Sequence, residues 1–263
     1  MQESEGEALT AITLFRVQGR GRWWALKQMR FGPIDLASQE GLRFGKVMGS
    51  GDGVGFSAKP NLGVWAVLSV WNTPEAFLTW QRGPWLSEYK AKAEEQVTIC
   101  QYAVRARGLW NGEQPFPLEE APAFPTLRGV ITRGTIRPSR LLKFWSTVPS
   151  TSRATERAAG RLFSIGIGEV PWLEQATWSL WESEDAIRAF AYGSAAHKAA
   201  IKKTHTLNWY REELFARFVP FATIGSWSTF PDLSSHGVTH FSDVPLPSAL
   251  REARARQGEA GAR

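Results

Sequence analysis

The 263-residue chain is poor in reactive side chains: one cysteine (Cys100), four histidines, four tyrosines and three methionines. A lone thiol excludes any disulfide within the chain and suits a reducing compartment. In its apparent strand, Cys100 reads as an inert core thiol. No uninterrupted apolar run reaches the roughly 20 residues that a membrane-spanning helix requires. Residues 1–9 carry three glutamates and no basic residue, which argues against a secretory signal. The familiar catalytic signatures are missing as well. There is no GxxxxGK[ST] phosphate loop, no GxGxxG, no GxSxG elbow and no HExxH. Disorder is excluded too, because 43% of residues are hydrophobic and only 21% charged. The expectation is a soluble, cytoplasmic protein with a large core.

What the chain has in abundance is flat apolar bulk, with thirteen tryptophans and fifteen phenylalanines. Such rings fill cores, and they also line sites for long or planar apolar ligands. The net charge of +6 favours anionic surfaces: nucleic acid, lipid headgroups or an acidic electron donor. It is equally compatible with lysines and arginines that merely solvate the exterior. These charges are scattered and accompany no recognised nucleic-acid motif, so no nucleic-acid partner is expected.

Hydrophobic patterning predicts strands at 11–17, 42–48, 61–71 and 97–107. A helix is expected at 23–29, and another beginning after Thr73 with Pro74 in its first turn. After a proline-rich stretch the pattern restarts, with strands at 127–136, 162–167, 175–181 and 215–227. The second set of helices is expected from Pro138 to Trp145 and from Glu184 to about Lys203. Both halves read β-α-β-β-α-β, the ferredoxin-like order. Trp71 aligns with Trp181, which pairs Ala76 with Ala186, Phe77 with Ile187 and Trp80 with Phe190. Each half ends on Gly-x-Trp, at Gly108–Trp110 and Gly225–Trp227. The fold class expected is therefore α+β, with two tandem ferredoxin-like units closing a dimeric α/β barrel within one chain. The units are bounded as residues 1–112 and 127–228, with a linker at 113–126 and a loop plus basic tail at 229–263. The tail reads either as a short helix or as disordered chain, and carries no expected chemistry.

Four histidines are few enough to sort by position. His236 and His240 are four apart, but Gly237 and a Ser/Asp/Pro-rich context argue against the helix a metal pair needs. His197 and His205 follow Ala186 and Phe190 at helical spacing, and His197 shares their apolar face among small alanines. The same register puts Ser87 opposite His197, so only one copy carries the imidazole. One reading is a core imidazole bonded to a backbone carbonyl. The other is the axial ligand of a haem, because the porphyrin brings its own four nitrogens. Lys198, Lys202, Lys203 or Arg161 could then neutralise its carboxylates.

The stretches GSGDGVGF (49–56), KPN (59–61) and VWAVLSVW (64–71), with SIGIGEVPWLEQATWSLW (164–181), FAYGSAAHKAAI (190–201) and WYREELFARF (209–218), resemble the spheroidene monooxygenase family. The resemblance covers most of residues 11–227. It implies an oxygenase dependent on haem b that introduces a hydroxyl and then a keto group into an acyclic carotenoid. It also implies a ferredoxin-type electron donor and kinship with haem proteins of the dimeric α/β barrel type. In those relatives the iron ligand lies on a helix of the second half, a position that His197 matches. Tyr192, Lys202, Phe190 and Phe218 are then candidate cofactor contacts, and Trp178, Trp209 and Phe215 candidate walls of the substrate pocket. Arg217 is the candidate catalytic side chain, through a hydrogen bond or a grip on a propionate. Carotenoids reside in bilayers, so the basic surface suits peripheral membrane contact. A haem-dependent lyase of the aldoxime dehydratase type and a cofactor-free barrel protein remain the alternatives.

Overall fold

The computed structural model describes residues 8–53, 55, 57–121, 127–148, 152, 155–193 and 209–259. Its first half runs β1 (Leu9–Val17), α1 (Gly21–Ala37), β2 (Leu42–Gly51), β3 (Pro60–Trp71), α2 (Pro74–Arg82), α3 (Pro84–Lys92) and β4 (Ala93–Gly108). The second half repeats the order as β5 (Arg128–Ile136), α4 (Leu141–Trp145), β6 (Arg161–Val170), β7 (Glu174–Trp181), α5 (Glu184–Gly193) and β8 (Tyr210–Ser226). The expected helix after Thr73 is two helices. Gly83 adopts an extended conformation (φ −72°, ψ 164°), and Pro84 has no N–H with which to continue the first. Of the helix expected over 184–203, α5 is the described part. None of the helices is long and apolar enough to cross a membrane, among the described residues.

The strands join in the order β4-β1-β3-β2-β6-β7-β5-β8, and β4 pairs back onto β8, so the sheet closes into a barrel. Its two seams are unequal. β4 and β8 pair from Gln96↔Ser226 to Gly108↔Leu214, whereas β2 and β6 meet only at Gly49↔Gly168 and Ser50↔Ile167. Strand alternation sends Ile12, Leu14, Leu68, Ile99, Ile131, Trp178, Leu180 and Phe218 into one continuous interior. Phe116, from the proline-rich stretch expected as a linker, is buried in that interior with its ring 5.0 Å from Phe218. The basic tail resolves into helix. α6 (Pro247–Glu259) packs Leu250 and Ala253 on the outside of β8. Its Arg254 lies 5.0 Å over the Tyr102 ring, donates to the Ala8 carbonyl at 2.9 Å and pairs with Glu119. A short strand, β9 (Thr239–Phe241), lies parallel beside β8.

The duplication read from the sequence holds at atomic detail. Thr73 accepts the Ala76 N–H at 3.2 Å, and Ser183 accepts that of Ala186 at 3.0 Å, matched N-caps worth about 1 kcal/mol each. Trp71 packs on Trp80 at 5.2 Å and Trp181 on Phe190 at 5.1 Å, with nearly the same tilt. At the seam, Gly108 and Gly225 both have positive φ (+91° and +83°), and a Cβ on either would collide with a carbonyl of the facing strand, Glu213 or Gln96. Only glycine permits that approach.

Beyond those glycines each end of the barrel is locked in the same way. Arg16 lies 4.7 Å over Trp227 and pairs with Glu95 at 2.9 Å, while Glu95 accepts the Ser228 N–H at 2.9 Å. At the other end Arg133 lies 5.4 Å over Trp110 and pairs with Glu212, which accepts the Asn111 and Gly112 N–H groups at 2.8 and 2.7 Å. The Ser228 hydrogen bonds, helped by Arg16, hold the Glu95 carboxyl below its ordinary value. Burial raises Glu212, but the Gly112 and Asn111 N–H groups and Arg133 outweigh it and leave that carboxyl lowered too. A carboxylate depressed in the folded state stabilises fully above its unfolded value, about pH 4.3, and ceases to do so as pH falls through the lower folded value. In urea unfolding, the wild type is therefore expected to lose stability on acidification below about pH 4.3 more steeply than Glu95→Gln/Glu212→Gln. Equal slopes would show that neither lock forms.

Candidate functional site

The outer faces of the two halves are built from corresponding positions, and they differ sharply in bulk. In the first half, helices α1–α3 lay Leu36, Phe77, Trp80, Leu86 and Tyr89 over Phe15, Val47, Val67 and Trp71 of the strands. Trp65 packs on Ala25 of α1 beside them. In the second half the strand registers align three outward rows. They are Ser164–Ser179–Val130–Arg217, Gly166–Thr177–Thr132–Phe215 and Gly168–Gln175–Gly134–Glu213. With Trp181 in the place of Trp71, Gly134 stands for Phe15, Gly166 for Val47, Gln175 for Trp65 and Thr177 for Val67. Three of the four positions lose bulk, to two glycines and a glutamine, and the fourth exchanges valine for the isosteric but polar threonine. The result is a floor of small side chains in the sheet, with Phe215 44% exposed upon it and the Tyr210 ring lying over Gly134, 2.5 Å from where a Cβ would stand.

The border of that floor is cationic. Across the β4–β8 seam Arg105 faces Arg217 and Arg107 faces Phe215. Arg128 points the same way from β5, one row on, since its neighbour two residues along, Val130, is in the first row. Arg217 pairs with Glu184 in the first turn of α5, which ties the helix to the sheet. Burial first, then repulsion from Arg105 and Arg128, pulls the Arg217 guanidinium down from its ordinary value. Two half-buried arginines, Arg217 and Arg128, with exposed Arg105 and Arg107 beside them make a border suited to an anion.

The residues singled out from the sequence are distributed over three regions. Arg217 and Phe215 share the outer floor. Trp178 and Phe218 face the opposite way, into the filled barrel interior, and are fully buried there. Trp209 belongs to a small cluster under α4, with Phe144 at 5.7 Å and Ile136 and Val148 around it. Phe190 packs on Trp181. Tyr192 lies on the last turn of α5, and its side chain falls outside the described residues, as do His197, Lys198, Lys202, Lys203 and His205 entirely. Trp178 and Phe218 therefore cannot line one pocket with Phe215, because alternate positions of a strand face opposite sides of the sheet. His236 occupies a 3-10 turn and His240 a strand, where its Nδ1 lies 3.1 Å from Thr223 Oγ1. Among the described residues, no group of three His, Cys, Asp or Glu side chains could hold a metal ion. Sequence reasoning missed Thr132, Gly134, Gly166, Thr177, Arg105 and Arg128. For the glycines the signal was available: extending the Trp71/Trp181 register strand by strand sets Gly134 against Phe15 and Gly166 against Val47.

No family model matches the sequence. The spheroidene monooxygenase of Rhodobacter capsulatus is 34% identical over 233 residues, which cover 86% of this chain and 96% of that protein. Its counterpart from Cereibacter sphaeroides is 33% identical, covering 90% of this chain and 74% of that protein. The one from Rubrivivax gelatinosus is 30% identical, covering 84% and 86%. Crystal structures of two aldoxime dehydratases, one in complex with butyraldoxime, share the fold. Their TM-scores are 0.51 and 0.54 at 12% identity, covering 81% of this chain and 81% and 79% of theirs.

The electrostatics of the border give a direct test. Arg217→Gln strands Glu184 and is expected to cost about 1 kcal/mol in urea unfolding, the upper range for a partly exposed pair. Arg105→Gln removes a repelling charge and is expected to raise stability by a few tenths of a kcal/mol at low salt, a gain that vanishes near 1 M salt, where the screening length is about 3 Å. Equal destabilisation by both would mean that the two arginines do not oppose each other.

Proposed function

The chain belongs to the spheroidene monooxygenase family, and from that premise we propose that it is a carotenoid monooxygenase using haem b. The reaction proposed is introduction of oxygen into an acyclic carotenoid, first as hydroxyl and then as keto, with electrons from a ferredoxin-type donor. In this reading the outer floor of the second-half sheet would hold the cofactor, and His197, which lies outside the described residues, would bind its iron. The observation that carries the reading is the replacement of Phe15, Val47, Trp65 and Val67 by Gly134, Gly166, Gln175 and Thr177. A duplicated domain that needed only a second helix-covered core has no reason to lose the bulk of Phe15, Val47 and Trp65, since truncating a buried aromatic alone costs about 3–5 kcal/mol.

The residues present fit a flat macrocycle bearing carboxylates. Gly166 and the threonines present little bulk, with the Tyr210 ring lying over Gly134 at one edge; Phe215 offers an exposed ring on the same face, and Arg217, Arg105 and Arg128 offer cations at its border. Once bound, haem supplies the activation of dioxygen, which no side chain here can provide. The protein's part is to hold and to shield. Glu184 pins Arg217, so its remaining N–H groups are oriented for a carboxylate before any ligand arrives. Trp178, Phe218 and their neighbours fill the barrel behind the floor and keep it from collapsing inward. Trp181 and Phe190 make an apolar flank where α5 meets the sheet, and such a flank excludes water.

The test is haem uptake by the purified protein, followed by its absorption spectrum and by the shift in melting temperature. Wild type and His205→Ala are expected to bind one haem per chain. His197→Ala and Thr177→Trp, which refills the floor, are expected to lose stoichiometric binding and the thermal shift with it. Haem retained by Thr177→Trp, or lost equally from His205→Ala, would overturn the site. With a reduced donor and an acyclic carotenoid, the product is expected to be one oxygen atom heavier.

A further inference from the structure

We infer that the outward side of α1 is a docking surface for an anionic lipid bilayer. Four large apolar side chains stand in solvent along this one helix: Trp23 (69% exposed), Leu26 (42%), Phe31 (52%) and Ile34 (69%). Positions 23, 26, 30, 31 and 34 return to one face of a helix, and the opposite face carries Ala25, Gly32 and Leu36 into the protein. The helix is thus apolar on both sides, although among the described residues only one side has a partner.

Charge identifies the occupant. Lys27 and Arg30 are exposed and interleaved with the apolar tips, and Arg20 and Arg22 stand exposed at the start of the helix. Arg30 lies 5.6 Å from the Phe31 ring centre, so its stem runs beside the aromatic tip. The nearest acids lie off the stripe: Asp35 at the far end of the helix, and Glu88, which already accepts a hydrogen bond from Trp24 Nε1 at 2.9 Å. Leu62 extends the apolar surface near the helix start, one residue from Gly63, where a Cβ would stand 3.8 Å from Arg22 Nη2.

Shape argues for a plane in place of a groove-bearing protein. Trp23 and Ile34 are about 16 Å apart along the axis, at 1.5 Å per residue, so the tips form a convex ridge. Such a ridge can sink its rings and branched tips to the headgroup boundary while lysine and arginine reach back to lipid phosphates. An exposed patch of this kind on a soluble chain marks an interaction surface. The inference rests on α1 alone, and it stands or falls independently of the cofactor.

Sedimentation of the full chain with phosphatidylcholine vesicles, with and without added phosphatidylglycerol, tests it. Wild type is expected to bind the anionic vesicles, less well as salt is raised. Trp23→Ser/Ile34→Ser and Lys27→Glu/Arg30→Glu are each expected to bind at least tenfold more weakly, with unchanged circular dichroism and melting. Leu142→Ser, an equally exposed apolar position on α4, is expected to bind as wild type does. Bromolipid quenching of tryptophan emission is expected to fall in Trp23→Phe. Undiminished binding by the Trp23/Ile34 variant would overturn the inference, leaving adsorption by net charge alone. It is likewise overturned if vesicles are not bound and the α1 variants instead dissociate a dimer or a protein complex in gel filtration.

Discussion

Where β4 and β8 run past each other, two backbones approach so closely that a single methyl group at Gly108 or Gly225 would strike a carbonyl of the facing strand. That approach sets the rest of the architecture. It joins the last strand of one half to the last strand of the other over their whole shared length, and it delivers Trp110 and Trp227 to opposite ends of the same interior. Each tryptophan then meets an arginine from another strand, and each arginine meets a glutamate that also receives the N–H of the residue following the tryptophan. Hydrophobic closure, cation–π contact and charge-assisted hydrogen bonds are thereby stacked at one place at each end.

Two copies of one unit need not do the same work once they share a core. The first half keeps the usual arrangement, with helices seated on aromatic and branched side chains. The second has retained the caps, the Trp181–Phe190 contact and the end lock, yet its outer strand positions have shrunk. Stability residing in the shared interior and in the first half leaves the second half's outer face open to change, because loss of bulk there subtracts from a surplus held elsewhere. The cationic residues at its border are costly in the same sense: Arg217 is half-buried beside like charges and retains Glu184 as its counterion.

Much of this was readable from the residues. Period-two runs such as VWAVLSVW, the Thr73-Pro74 cap and the repeated Gly-x-Trp were enough to predict a doubled α+β barrel, because they depend on local rules. The candidate site was only partly accessible. Arg217 and Phe215 emerged from the sequence, but Trp178 and Phe218 were grouped with them because aromatic identity carries no information about which side of a strand a ring faces. That follows from register, a long-range property. The floor itself was hidden for a different reason. Thr132, Gly134, Gly166 and Thr177 look like ordinary strand residues, and their meaning appears only beside Thr13, Phe15, Val47 and Val67. Trp23 falls in a helix expected from the sequence, but only the fold shows that it, Phe31 and Ile34 stand uncovered.

The unequal seams have a mechanical consequence. Along β4–β8 the wall is a continuous ladder, and parting it means breaking every rung together. Along β2–β6 the backbones pair at Gly49↔Gly168 and Ser50↔Ile167, and the Lys46–Glu169 ion pair at 2.8 Å adds one side-chain clasp. A cylinder fastened firmly down one side and tacked down the other yields at the tack. The β2–β6 seam is therefore the expected place of first opening, beside β6, the strand that begins the small-residue floor.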